Sequence, residues 1–255
     1  MNRKTLFFTL LTAVLTFISC RSHYEVAGIH RSTLLIDSRY DTNPDAQAVA
    51  FLTPYKHMVD SVMGPQVGYS AKYMTAQRPE GTLSNLLADI MVWASKYYHE
   101  QVDFGVYNMG GVRSDLPQGP ITYGDVLNIA PFENKIAFTT LDGGAVMELF
   151  SEIAGTGGEG LSHGVRIVIT KDGCLVSATI NGKPVDPARD YRITTIDYLL
   201  DGTDRMEAFK KGRNINSPQE VNNNTRFIIM DYFRELQRQN KLVDAEIEGR
   251  VTVRK

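Results

Sequence analysis

Val102-Asp103-Phe104-Gly105-Val106-Tyr107-Asn108-Met109-Gly110-Gly111-Val112-Arg113 is the stretch on which the reading of this chain turns. The apolar run from Val102 to Tyr107 predicts a short buried strand, and it empties into two consecutive glycines flanked by an amide and a guanidinium. That layout fits a strand-end anion site. Gly110 and Gly111 are expected to take positive φ and turn their N–H groups toward an oxyanion. Asn108 adds a side chain that both donates and accepts, and Arg113 adds a planar fork suited to carboxylate or phosphate. The same residues also fit an ordinary strand-to-turn junction followed by a solvated arginine.

Downstream, Gly119 to Asp125 reads as a turn and helix start, and Val126 to Phe132 follows it. Phe132 stands directly after Pro131 and before polar Glu133-Asn134-Lys135, so its ring needs a ligand or a neighbour to cover it. Lys135 to Leu141 predicts a strand, Asp142-Gly143-Gly144 a turn, Ala145 to Ile153 a short helix, and Ala154 to Gly160 a flexible glycine-rich loop. No Gly-Lys-Ser/Thr follows that loop, so it is not a phosphate-binding loop of the nucleotide-triphosphatase kind. Strands are expected at Val165 to Thr170, Leu175 to Ile180, Lys183 to Val185 and Tyr191 to Thr195, with Asn181-Gly182 as a hairpin turn. A second polar loop, Asp197 to Asp204, again places an aromatic and carboxylates at a strand end. A helix from Asn224 to Asn240 and a strand from Gly249 to Lys255 complete the chain.

Upstream, Ser32 to Asp37 reads as an edge strand. Asn43-Pro44-Asp45 opens a helix whose apolar residues at Val49, Leu52, Tyr55, Val59, Val62 and Met63 share one face and which stops at Gly64-Pro65. Val67 to Met74 predicts a strand. Thr82 caps a helix to about Tyr98, on which Asn85 and Asp89 fall one turn apart, either as a functional polar stripe or as solvated residues. The alternation of strands and helices fits an α/β or an α+β domain.

The chain has 255 residues, 43% of them hydrophobic, and a net charge of -2. That suffices for a sizeable core, and no basic patch marks a nucleic-acid partner. Arg3 and Lys4, an apolar stretch from Leu6 to Ile18 and then Ser19-Cys20 form the three parts of an export signal. Phe17-Ile18-Ser19-Cys20 resembles a bacterial lipobox, which implies acylation of Cys20; a plain cleaved signal with an incidental cysteine is the alternative. Both destinations are the cell envelope. Residues 1–20 are thus read as a lipoprotein signal, 21–31 as a tether and 32–255 as the folded domain. Cys174 is expected to be buried in a strand-like segment and not to pair with Cys20.

Taken in order, several of these segments resemble the C-terminal, substrate-binding domain of the 5'-nucleotidase and UDP-sugar hydrolase family. They are Arg78 to Asp89, Asn108 to Arg113, Thr122 to Phe132, the glycine-rich loop before Leu161, Tyr198 to Asp204, and Glu248 to Val251. The likeness runs from roughly residue 68 to the end and implies an α+β domain with a mixed sheet and packed helices. It implies that Asn108 and Arg113, with Gly110 and Gly111 between them, contact the substrate near its phosphate end. Phe132 and Tyr198 would clamp the nucleobase, and Asp204 would bind the ribose hydroxyls. Arg78 lies near a phosphate-binding arginine of the family without being at a clearly equivalent position. The chain departs from the family pattern at Tyr198, usually Phe, and at Gly202-Thr203-Asp204-Arg205-Met206, usually Gly-Gly-Asp-Gly-Phe.

The family's dinuclear metal centre, built from Asp-x-His, Gly-Asp and Gly-Asn-His motifs, has no counterpart in the five scattered histidines His23, His30, His57, His99 and His163. The reading is therefore a substrate-binding half of a split envelope 5'-nucleotidase. Its ligand would be a nucleoside monophosphate or nucleotide sugar, and a separate metallophosphatase chain would carry the divalent metal pair. A lipid-anchored nucleoside- or nucleotide-binding protein with no hydrolytic role is the rival.

Overall fold

A computed structural model describes residue 2 and residues 24–254. Apart from Asn2, the export signal and Cys20 lie outside the described residues, as do the first residues of the tether. The chain divides into two units, Met1–Phe51 and Leu52–Lys255. In the first, Asp37 caps a 3-10 turn over Ser38–Tyr40, accepting from the backbone N–H of Arg39 at 3.1 Å. The edge strand expected at Ser32 to Asp37 does not form. Leu34, Leu35 and Ile36 are exposed in irregular backbone, because no strand among the described residues supplies a ladder for them.

Helix α1 (Ala46–Met63) carries the chain into the second unit, and none of its residues is buried among those described. The remaining elements are β1 (Gln66–Ser70), α2 (Thr82–Ala94), β2 (Phe104–Tyr107), β3 (Gly119–Thr122), α3 (Tyr123–Ile129), β4 (Ile136–Asp142), α4 (Gly143–Gly155), β5 (Gly160–Leu161) and β6 (Val165–Ile169). They continue with β7 (Leu175–Ile180), β8 (Lys183–Pro184), β9 (Asp190–Ile196), α5 (Asp197–Leu200), β10 (Arg213–Asn216), α6 (Thr225–Arg238) and β11 (Val251–Val253). Among the described residues three sheets form, in the orders β1-β3, β10-β4-β9-β2-β5 and β11-β6-β7-β8. Mixed sheets with helices packed against them make this an α+β domain.

The five-stranded sheet positions the site. β2 runs parallel to β9, with Phe104 opposite Ile193, whereas β4 runs antiparallel to β9, with Ile136 opposite Ile196. The C-terminal ends of β2 and β9 and the N-terminal end of β4 therefore lie at one edge of the sheet. Helix α2 presents Leu83, Leu86, Leu87, Ile90 and Met91 to the core beside Phe104 and Val106, which are at most 1% exposed. Burying such side chains contributes about 1.5–3 kcal/mol each before chain entropy is counted.

Several local expectations change in detail. α2 is capped by Gly81 rather than Thr82, with Ser84 Oγ accepting from the Gly81 N–H and donating to its carbonyl. Asp142-Gly143-Gly144 is a helix start, not a free turn: Asp142 Oδ1 accepts from Ala145 N at 2.8 Å. Gly143 is required there because a Cβ would sit 1.9 Å from the Asp186 carbonyl oxygen. The Asn181-Gly182 hairpin forms with φ of 51° and 75°, the signature of a type I′ turn. Cys174 is exposed, not buried, because it ends the turn that precedes β7. The glycine-rich loop is packed rather than open, with Gly158, Glu159 and Gly160 all buried. A Cβ on Gly158 would meet the Pro79 carbonyl oxygen at 2.2 Å.

The polar stripe on α2 is neither ligand-facing nor solvated. Arg250, only 2% exposed, reaches across from the chain's end and grips Asp89 with two parallel bonds of 2.9 and 2.7 Å. Its Nη1 also donates to the Leu161 carbonyl at 2.7 Å, and its Nε to Glu248 at 3.1 Å. Buried Glu80 accepts from the Asn85 side-chain amide and from the backbone N–H groups of Glu248 and Arg250. Burial alone would pull the guanidinium of Arg250 down, but Asp89 and Glu248 together hold it above its ordinary value. Two stretches far apart in sequence thus close into one buried clasp.

Candidate functional site

At the sheet edge where β2, β9 and β4 meet, three loops enclose a cleft of about 410 Å³. It is lined by Asn108, Gly110, Gly111, Arg113, Phe132, Asn134, Tyr198 and Asp204. Seven of these eight residues were singled out from the sequence; the eighth, Asn134, was missed although it stands two residues after Phe132 in the same loop. Arg78 lies outside this cleft, in a neighbouring groove that shares Gly110 and Asp204 with it.

Each loop is held by groups away from the cleft. Past β2, Asn108 precedes a 3-10 turn over Met109–Gly111. The Met109 N–H is caught at 2.6 Å by Glu159, which is 3% exposed and whose other oxygen pairs with Arg78. Glu159 is the principal anchor that sequence reasoning missed. Its signal was a lone carboxylate among glycines, where the small neighbours let the backbone close round it. The Arg113 N–H donates to the Ile129 carbonyl at 3.0 Å, joining this loop to the end of α3.

Past α3, the Arg226 guanidinium donates to the Pro131 carbonyl at 2.9 Å, and the Thr225 N–H donates to Asn134 O at 2.9 Å. The start of α6 thereby braces the segment that carries Phe132. Past β9, Asp197 Oδ1 accepts from the backbone N–H groups of Lys135 and Tyr198, tying the third loop to the second.

The glycines differ from expectation. Neither Gly110 nor Gly111 has positive φ, and the Gly111 N–H donates to the Asn108 carbonyl at 3.2 Å instead of facing the cleft. Their lack of a Cβ leaves room for side chains to approach closely. A Cβ on Gly111 would lie 2.8 Å from Asn108 Oδ1, and one on Gly110 would lie 2.9 Å from Asp204 Oδ2. The 3-10 turn uses their small size, and the backbone amides do not form an anion nest.

Polar groups converge on Asp204. Asn108 Nδ2 donates to Oδ2 at 2.5 Å and the Tyr198 hydroxyl donates to Oδ1 at 3.1 Å. Asp204 sits at φ 51°, ψ 30°, a left-handed conformation that Asp tolerates better than most residues. With its amide nitrogen committed to Asp204, Asn108 leaves its Oδ1 buried and without a hydrogen-bond partner among the described residues. An orphaned buried acceptor costs about 1–3 kcal/mol, so this oxygen has a hydrogen bond still to make.

The apolar lining is open. Phe132 is 46% exposed and Tyr198 42%, two large rings on separate loops facing one cleft. The Arg113 guanidinium lies 5.7 Å from the centroid of the Phe132 ring and donates to the Gly110 carbonyl at 3.3 Å, which leaves most of its N–H groups available. Rings offer faces to a flat conjugated ligand, Asp204 offers lone pairs to hydroxyls, and Arg113 offers a fork to an anion. No group of three or more His, Cys, Asp or Glu residues is arranged to hold a metal ion among the described residues. No described helix is long and apolar enough to cross a membrane.

A family model described as 5'-nucleotidase, C-terminal domain, matches residues 64–211. The silent protein UshA(0) of Salmonella typhimurium is 28% identical over 203 residues, covering 78% of this chain but 36% of the relative. The chain thus spans little more than a third of that relative's length. Among solved structures, the 5'-nucleotidase precursor from Thermus thermophilus superposes with a TM-score of 0.69 at 25% identity, over 81% of this chain and 43% of the other. The NAD nucleotidase of Haemophilus influenzae gives a TM-score of 0.61 at 19% identity, over 83% and 42%, and shares the fold.

Proposed function

Because the chain belongs to the 5'-nucleotidase C-terminal domain family, we propose that its cleft binds a nucleoside phosphate. In this reading the base stacks between Phe132 and Tyr198, the ribose hydroxyls donate to Asp204 and to the orphaned Oδ1 of Asn108, and Arg113 pairs with the phosphate end. The observation that carries it is that unpartnered acceptor, buried beside two exposed rings and a carboxylate in one cleft.

The described residues do not fit the dinuclear metal centre of the family, so no hydrolytic step is assigned to them. Hydrolysis would come from a metallophosphatase on a separate chain, which supplies the divalent metal pair, and this domain would present the nucleotide to it. Acylation of Cys20, with residues 21–31 as a tether, would hold the pair at the bacterial envelope. The rival role, capture of nucleosides or nucleotides by a lipid-anchored protein with no hydrolytic partner, uses the same cleft.

Calorimetric titration with adenosine, AMP and UDP-glucose tests the binding: a saturable isotherm is expected that disappears in the Phe132→Ala, Tyr198→Ala double variant. An unchanged isotherm in that variant would overturn the reading. Adding this protein to a metallophosphatase with a divalent metal should raise nucleotide hydrolysis above the phosphatase's own rate. Tight binding with no such rise would favour capture.

A further inference from the structure

A second groove of about 360 Å³ adjoins the first at Gly110 and Asp204. Its walls carry Arg78, Glu159, Arg205 and the end of α4 at Gly155 and Thr156, and it shares Gly110 and Asp204 with the ring cleft. The two spaces therefore meet across one glycine and one carboxylate, and a ligand longer than a nucleoside monophosphate can enter both.

The charges in this groove are unequally engaged. Both carboxylates already have partners: Glu159 accepts from Arg78 and from the Met109 N–H, and Asp204 accepts from Asn108 and Tyr198. The cations keep donors in reserve. Arg78 pairs with Glu159 through one arm and its side chain is 42% exposed. Arg205 is exposed and forms no ion pair with any carboxylate of the described residues. Its backbone sits at φ 64°, a region that favours glycine, so the loop carries a long cation at a position where its own geometry would be easier without a side chain. An unpaired guanidinium that lines the same groove as a second, partly free one suits phosphate oxygens.

We infer that Arg205, with Arg78, forms a second anionic subsite that selects nucleotides carrying two phosphoryl groups over nucleoside monophosphates. This deepens the nucleotide-binding reading and rests on it. Arg205 is here a specificity-determining residue: the ring cleft holds the nucleoside and first phosphate, and Arg205 recognises the second.

The test uses the full chain and its Arg205→Gly variant, titrated calorimetrically with adenosine, AMP and ADP and in parallel with uridine, UMP and UDP. Glycine suits the positive φ, so the variant is expected to fold with an unchanged or higher melting temperature. The wild type should bind the diphosphate at least tenfold more tightly than the monophosphate of its preferred base. In Arg205→Gly that ratio should fall to threefold or less while the monophosphate affinity stays constant. Arg205→Glu should push the ratio below one. A ratio unaltered by Arg205→Gly, with monophosphate still bound, would overturn the subsite alone. Failure of every nucleoside and nucleotide to bind would overturn the parent reading as well.

Discussion

The clasp of Glu80, Asn85, Asp89, Glu248 and Arg250 and the cleft of Asn108, Arg113, Phe132, Tyr198 and Asp204 are built from similar residue types, yet they are opposites. In the clasp the guanidinium is 2% exposed and meets two carboxylates and backbone carbonyls. In the cleft the guanidinium of Arg113 meets a ring and one carbonyl, and an amide oxygen nearby has no partner among the described residues. A saturated polar network fixes a fold, because every missing bond within it costs desolvation; an unsaturated one keeps its remaining valence for something else. The difference lies in how completely the bonds are satisfied.

The largest effect expected from breaking that contrast is on the clasp side. Arg250→Ala removes the buried partner of two half-buried carboxylates and should destabilise the domain by at most about 3–5 kcal/mol in denaturant unfolding, the range for fully buried pairs, because water still reaches Asp89 and Glu248. An effect below about 1 kcal/mol would mean that the clasp does not secure the chain end.

Next comes Gly111→Ala, which places a Cβ 2.8 Å from Asn108 Oδ1. Overpacking of this kind costs about 1–3 kcal/mol. Because Asn108 lines the cleft, nucleotide affinity should fall together with the melting temperature. Retained affinity at normal stability would show that Asn108 Oδ1 takes no ligand.

Phe132→Ala sharpens the comparison from the other side. Loss of a stacking ring should cost about 1–3 kcal/mol of nucleotide binding. The same variant should change folding stability by less than about 0.5 kcal/mol, because a ring this exposed contributes little to the core. Parallel calorimetry and unfolding separate the two numbers, and a large stability loss with unchanged affinity would make Phe132 a structural residue.

The smallest effect is on pH dependence. Burial would raise Glu248, but hydrogen bonds from His163 and Arg250 override that and hold its carboxyl below the ordinary value of 4.5. A carboxylate depressed in the folded state stabilises above its unfolded pKa, and that stabilisation is lost as pH falls through the folded value. Denaturant midpoints should therefore drop below about pH 4.5, and Glu248→Gln should flatten the curve in that window. An unaltered acid limb in the variant would remove Glu248 from the account.

Much of this was legible in the chain. Apolar periodicity located the helix after Gly81, the strands flanking Asn181-Gly182 and the helix after Asn224, because burial of one face imposes the period. Periodicity failed at Ser32 to Asp37, where an apolar run has no strand beside it among the described residues, and at Cys174, where a turn interrupts the expected alternation. The motif stretches drew attention to Asn85 and Asp89 but left their role open, because whether a polar residue on a helix faces water, ligand or a distant arginine depends on what packs over it. Glu159 and Asn134 gave only weak signals, since a carboxylate among glycines and an amide before a strand are common in loops.

The chain alone determined the kinds of residue available at the cleft: two rings, a carboxylate, an amide and a guanidinium, each next to a strand end or a glycine. It also determined that Gly110 and Gly111 had to be small, though for a reason it did not reveal. Only the tertiary structure decided that three strand ends share one edge of a sheet, because parallel pairing of β2 with β9 and antiparallel pairing of β4 with β9 are settled by long-range hydrogen bonds. That arrangement brings Asn108 against Asp204, leaves the buried Oδ1 of Asn108 without a partner among the described residues, and puts Arg205 in the groove that shares the same carboxylate.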